Sequence, residues 1–233
     1  MLPQLDKLKG KALDFLFPRY CVGCGKEGSL ICHSCLQSLP RLISPICPRC
    51  GRPQAGDMLC PGCVSWQAKI DGIRSPFHFD GVMRQAIHQL KYRNLRALFV
   101  PLANLLRDYL TTNPIPAEIL VPVPIHSRRL RERGYNQSRL LARELGKLTG
   151  LPVIDDCLIR QRQAPPQART STVYERRSNV INAFACRDHR LRDKQVLLID
   201  DVSTSGATLD TCATALKASG VSSVWGLVVA REI

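Results

Sequence analysis

The sequence predicts a doubly wound parallel α/β sheet with a small metal-binding module at its N-terminal end, and three observations carry that expectation. Two apolar runs of strand length, Ile119 to Val123 and Val196 to Ile199, each lead into a polar turn and then a helical segment. Eight of the eleven cysteines lie between Cys21 and Cys63, in four C-x-x-C pairs. The positive charge is concentrated ahead of the second turn: residues 121–180 hold twelve Lys/Arg against five Asp/Glu, whereas residues 181–233 hold six of each.

From the N-terminus, Leu2, Leu5, Leu8, Ala12 and Leu16 recur at helical spacing. They predict a short helix docked on its own protein, with a membrane or partner helix as the alternative. Asp6, Lys7, Lys9, Lys11 and Asp14 interrupt the segment, so it does not read as a secretory signal. The longest uncharged apolar runs, Ala97 to Leu106 and Val221 to Ala230, are too short to cross a bilayer, and a cytoplasmic protein is expected.

The cysteine pairs are Cys21/Cys24, Cys32/Cys35, Cys47/Cys50 and Cys60/Cys63. In a reducing compartment disulfides do not persist, so metal is the better account. Two thiolates two residues apart meet one Zn²⁺ from a tight knuckle, and two knuckles complete a tetrahedron. Two structural zinc ions are expected, and they would lower the formal charge of +14 to about +10. Sequential pairing would give Cys21, Cys24, Cys32, Cys35 and Cys47, Cys50, Cys60, Cys63, with short connecting loops; interleaved pairing is the alternative. His33 is expected to be a spectator, and Cys157, Cys186 and Cys212 packed thiols. Residues 1–66 are assigned to this module and residues 67–233 to the α/β domain.

Beyond it, Trp66 to Arg74 reads as a connection, Ser75 to Phe79 as a short strand, and Val82 to Tyr92 as a helix with Val82, Ala86, Ile87 and Leu90 on one face. A second helix fits Leu95 to Leu110 and stops before Pro114. The strand ending at Val123 runs into a basic loop, Ser127 to Arg133, and a helix from Asn136 to Leu148 closed by Gly150. Arg160 to Asn182 is polar and reads either as a mobile flap or as an exposed linker.

The second unit is the most informative. Val196 to Ile199 end at Asp200 and Asp201, and Val202, Ser203, Thr204, Ser205, Gly206, Ala207 and Thr208 precede a helix from Leu209 to Ala218. A small-residue turn at a helix N-terminus favours an anion, through free amides and the helix dipole. Two carboxylates would repel that anion but suit neutral hydroxyls, such as those of a ribose, or a magnesium ion. Together they describe a ribose 5-phosphate site. In the first unit, Ser127, Arg128 and Arg129 lie nearest the strand end and are the candidates for a pyrophosphate, since Arg captures phosphate in a bidentate manner. The same basic surface would attract single-stranded nucleic acid.

The acid pair and the turn resemble the signature loop of type I phosphoribosyltransferases, which bind phosphoribosyl pyrophosphate (PRPP). Across the chain, the four cysteine pairs are followed by Leu90, Lys91 and Tyr92, by Val121 to Pro124, and by Arg128 to Gln137. Gln167, Arg176 to Asn179, and Ala183 with Phe184 come next, before the Asp200–Asp201 loop. This combination resembles the ComF family of double zinc-ribbon, phosphoribosyltransferase-like proteins. The resemblance implies a PRPP or ribose 5-phosphate ligand held with magnesium, and a role in handling single-stranded DNA in natural transformation, alongside a helicase-like partner and DNA-processing factors. Its alternative is an active magnesium-dependent phosphoribosyltransferase acting on an unidentified base or amine, with Asp200 and Asp201 at the catalytic centre.

Overall fold

The computed structural model describes residues 18–161, 183–186 and 188–232. The expected N-terminal helix and the expected flap from residue 162 onward lie outside the described residues.

The strands are β1 (Gly72–Arg74), β2 (Phe77–His78), β3 (Ile119–Pro122), β4 (Leu158–Arg160), β5 (Phe184–Cys186), β6 (Gln195–Ser203) and β7 (Ser223–Arg231). The helices are α1 (His33–Gln37), α2 (Pro61–Val64), α3 (Gly81–Tyr92), α4 (Phe99–Thr112), α5 (Ser127–Arg133), α6 (Gln137–Thr149) and α7 (Ala207–Ala218). The main sheet is all parallel, in the order β1–β7–β6–β3, with β2 following β1 along the same neighbour, β7. β4 and β5 form a separate antiparallel pair.

β6 explains why the sheet is wound on both faces. Its apolar run is unbroken because both sides are covered. Leu197 and Ile199 join the core built by α3, α4 and α6, whereas Val196 and Leu198 join the core under α7. α4 contributes Phe99, Leu102, Ala103 and Leu106, and α7 contributes Leu209, Cys212, Ala213 and Leu216, each at helical spacing. α6 ends as expected at Gly150, whose φ of +75° is the left-handed stop that glycine adopts freely.

Four local expectations differ. The supposed connection from Trp66 to Arg74 contains β1, a strand too short to show a pattern. The strand expected over Ser75 to Phe79 shrinks to two residues, because Pro76 lacks the amide that would continue the ladder. The basic loop is a helix, α5, capped by His126 Nδ1, which accepts from the Arg128 amide at 3.1 Å. The acid pair lies inside β6, which pairs with β7 as far as Ser203, and α7 begins two residues earlier than expected.

The cysteine-rich segment covers the exposed edge of the sheet. His78 N–H donates to Pro40 O at 2.8 Å, Leu42 N–H to Pro76 O at 2.9 Å, and Ile73 N–H to Arg49 O at 2.7 Å. These bonds satisfy edge groups that would otherwise recruit another strand. Gly51 sits at φ +70°, and a Cβ there would lie 2.4 Å from Ile73 O. Gly51→Ala should therefore destabilise the protein by about 2 kcal/mol, read as a lower urea midpoint; an unchanged midpoint would contradict this packing.

Candidate functional site

A cleft of about 190 Å³ opens between the carboxyl ends of β3 and β6. After β3 the chain moves outward, through α5 and α6, to Val153, which bridges Leu120 in parallel; after β6 it crosses through α7 to β7 on the other side. The two connections diverge, so the ends of β3 and β6 form the crevice in which open α/β sheets bind ligands.

The cleft is lined by Asp200, Asp201, Val202 and Thr208 together with four cations, Lys91, Arg129, Arg133 and Arg160. Ser138 donates its hydroxyl to Asp200 Oδ1 at 2.7 Å, and the Asp201 amide donates to the same oxygen at 2.9 Å. Lys91 Nζ lies 2.9 Å from Asp201 Oδ1. Each acid therefore keeps its Oδ2 without a hydrogen bond among the described residues, so a pair of hard oxygen donors faces the cleft, suited to sugar hydroxyls or to Mg²⁺. Burial, and then the neighbouring Asp201 charge, push the Asp200 carboxyl up to about 7, against the Ser138 and Lys91 interactions. Gln137 is buried beside the cleft, and its Nε2 lacks any hydrogen-bond partner among the described residues.

Of the segment between the acids and α7, Val202 lines the cleft, as does Thr208 in the first turn of α7. The amides of Thr204, Ser205 and Gly206 have no hydrogen-bond partner among the described residues, and Gly206 adopts φ +81°. The Ala207 amide is taken by Ser205 Oγ at 3.3 Å. Ser203, Gly206 and Ala207 are buried, Thr204 is exposed, and Ser205 and Thr208 are intermediate.

Of the pyrophosphate candidates, Arg129 lines the cleft and Arg128 does not. Because Ser127 to Arg133 is helical, side chains four residues apart share a face. Arg129 is thereby joined at the cleft by Arg133, while Arg128 turns to solvent and pairs with Glu132 at 2.8 Å. Arg133 lies over the Tyr92 ring, 5.6 Å from its centre, and Arg160 lies over Phe184 at 5.3 Å. Lys91, Arg133, Gln137, Ser138 and Arg160 were not among the sequence-derived site residues. Lys91, Arg133 and Gln137 stood inside stretches that carried the family resemblance; Ser138 and Arg160 carried no such signal.

Both cysteine groups assemble in sequential order, Cys21, Cys24, Cys32, Cys35 and Cys47, Cys50, Cys60, Cys63, with all sulfurs of a group within 4.8 Å of one another. Cys24 and Cys32 Sγ are 3.6 Å apart and Cys50 and Cys60 Sγ 3.7 Å. Those separations match the roughly 3.8 Å edge of a tetrahedron with Zn–S bonds of about 2.3 Å. The two knuckles are built alike: the amides of Gly25 and Gly51 donate to the carbonyls of Cys21 and Cys47, and Cys32 and Cys60 each open a short helix. These are two zinc-ribbon sites, each of four thiolates. His33 is exposed and outside the sulfur cluster, as expected.

Residues 12–64 match the family model described as a double zinc ribbon domain. The chain is 29% identical to the competence protein ComFC of Bacillus subtilis, covering 85% of this chain and 84% of that protein. It is 30% identical to competence protein F of Haemophilus influenzae, covering 89% and 95% respectively. It is 29% identical to the DNA utilization protein YhgH of Salmonella typhi, covering 83% and 87%. A solved glutamine PRPP amidotransferase of B. subtilis aligns over 56% of this chain and 26% of its own, at 19% identity and a TM-score of 0.39, too distant to add to the topology above.

The electrostatics of the cleft give a pH dependence. A carboxyl whose pKa is raised on folding keeps a proton that the unfolded chain has released, so stability should fall as pH climbs from about 4 to about 7 and level off above. Asp200→Asn should remove that component from the melting temperature against pH; identical profiles for the two proteins would contradict the burial of this group.

Proposed function

This chain belongs to the ComF family, and from that premise we propose that it binds PRPP or ribose 5-phosphate and handles single-stranded DNA during natural transformation or DNA uptake. The observation that carries the ligand reading is the meeting, in one cleft, of two adjacent carboxylates and four cations, with a turn of unbonded amides following the acids along the chain. Asp200 and Asp201 would hold the ribose hydroxyls, directly or through Mg²⁺. Residues Val202 to Thr208 would wrap the 5-phosphate, Thr204, Ser205 and Gly206 through their amides. Arg129, with Arg133 in the place first given to Arg128, would face the pyrophosphate, and Ser127 would open their helix. Lys91 and Arg160 add positive charge where the leaving group of PRPP would sit.

The DNA reading is supported by the competence and DNA-utilization names of the relatives and by the basic α5 face. It places the protein in the cytoplasm, in contact with DNA-processing proteins, with residues 1–66 as the ribbon module and 67–233 as the ligand-binding domain. No helix among the described residues is long and apolar enough to cross a membrane.

A second reading, a magnesium-dependent phosphoribosyltransferase, is favoured by one specific feature: Arg129, Arg133 and Arg160 share the cleft with the acid pair, and departure of pyrophosphate from C1 would need such cations. Mg²⁺ bound at the acids would supply charge neutralisation on the pyrophosphate. The protein's own residues would orient the ribose and hold the departing anion.

Calorimetry with PRPP and Mg²⁺ should give binding to the native protein and at least about a tenfold loss in the double variant Asp200→Asn, Asp201→Asn, from the hydrogen bonds to hydroxyls and metal removed. Absence of binding to the native protein would remove the site assignment. Single-stranded DNA affinity should fall steeply with salt, and Arg129→Ala with Arg133→Ala should reduce the salt slope by about two. Salt-independent binding, or none, would turn the balance to the enzyme reading, for which pyrophosphate release from PRPP with a panel of bases is the assay.

A further inference from the structure

Arg231 ends β7 after a run of apolar residues, and no motif marks it. Its side chain is 2% exposed, and its Nε and Nη1 have no hydrogen-bond partner among the described residues. Nη2 donates to Thr204 O at 3.2 Å, inside the turn read above as the phosphate cradle. A buried guanidinium cannot lose its proton and needs a counter-charge. The groups that attract it electrostatically are the sulfurs of Cys50, Cys63 and Cys60, with Arg52 opposing them. Four thiolates around Zn²⁺ carry a net charge of about −2, so an occupied second zinc site would supply negative charge within electrostatic reach of this arginine.

The same ribbon also bears on the turn by packing. A Cβ on Gly206 would meet Ile73 Cδ1 at 2.8 Å and Trp66 Cη2 at 3.0 Å. Trp66 lies three residues beyond the ligand Cys63, and its carbonyl accepts from Arg49 Nη1, one residue before the ligand Cys50, at 2.9 Å. Cys21 and Cys35 of the first ribbon belong to the opposite core, with α3 and α4, and Cys32 packs against it. Among the described residues, the second ribbon is the one that reaches the turn, through Trp66 beside Gly206 and through the charge of Arg231, which is bonded to the Thr204 carbonyl.

We propose that Arg231 is a positioning residue that ties the Cys47, Cys50, Cys60, Cys63 zinc site to the Ser203–Gly206 turn, so that zinc held there and a ribose-phosphate bound at the turn stabilise one another. The tie has two ends: the guanidinium charge lies within electrostatic reach of the tetrathiolate site, and its Nη2 holds the Thr204 carbonyl, whose peptide carries the Ser205 amide. Coupling of this kind is reciprocal, so ligand must retain zinc by the same factor that zinc strengthens ligand binding. The inference rests on the ribose-phosphate reading of the cleft.

The test uses the full zinc-loaded chain. Zinc release to the chromogenic chelator 4-(2-pyridylazo)resorcinol is followed with and without saturating ribose 5-phosphate, and calorimetry measures the ligand affinity in parallel. Release of one zinc should slow about fivefold or more with ligand while the other is unchanged. Arg231→Gln should abolish that slowing and weaken ribose 5-phosphate about fivefold or more, and Arg231→Lys, which keeps the charge, should restore part of both effects. Ligand binding by calorimetry with both zinc release rates unchanged would overturn the coupling and leave the cleft reading standing. No binding of ribose 5-phosphate to the native protein would overturn the cleft reading and the coupling with it. If the Arg231 variants do not fold, the release measurement on the native protein decides alone.

Discussion

The parallel pairing of β6 with β3 on one side and β7 on the other sets the position of every group in the cleft. Because Val196 to Ile199 are buried on both faces, the register of β6 cannot slip without exposing one core or the other. The strand delivers its acids at a fixed point: alternation turns Asp201 toward the α3 side, where Lys91 meets it, while Asp200 reaches Ser138 at the start of α6. The turn that follows is held at both ends as well, by α7 and by the continued pairing of Ser203 with Arg231.

The charge arrangement follows from that placement. Two carboxylates side by side at a buried strand end repel one another, and the structure answers with one cation, one hydroxyl and one raised pKa rather than with full neutralisation. The site keeps unsatisfied acceptors on the acid side, free amides at the turn and excess positive charge on α5. A ligand that is hydroxylated at one end and anionic at two others meets all three demands together, which is the chemical description of a phosphorylated, pyrophosphorylated sugar.

Much of this was legible in the sequence, for identifiable reasons. Asp200 and Asp201 stand out because acids rarely end an apolar strand in pairs, and the small residues behind them have few other uses. The cysteine knuckles are local objects, so their number and metal were readable; their sequential pairing emerged only when the sulfurs were located. Three things were hidden. The α5 segment has no apolar stripe, so nothing in it signalled a helix, and without the helical phase Arg128 could not be told from Arg133. Lys91, Gln137, Ser138 and Arg160 reach the cleft from α3, α6 and β4, and only tertiary packing brings such distant residues together. Arg231 was hidden most completely, since the strand around it is apolar and its partners lie in a ribbon far away in sequence.

The central claim is that the acid pair recognises sugar hydroxyls beside a phosphate. Its most direct measurement is calorimetry with ribose 5-phosphate against 2-deoxyribose 5-phosphate under identical Mg²⁺. A site built to pair with a hydroxyl rejects the analogue lacking it, so the ribose compound should bind about tenfold more tightly or better. Equal affinities for the two sugars, or binding of neither, would contradict the account.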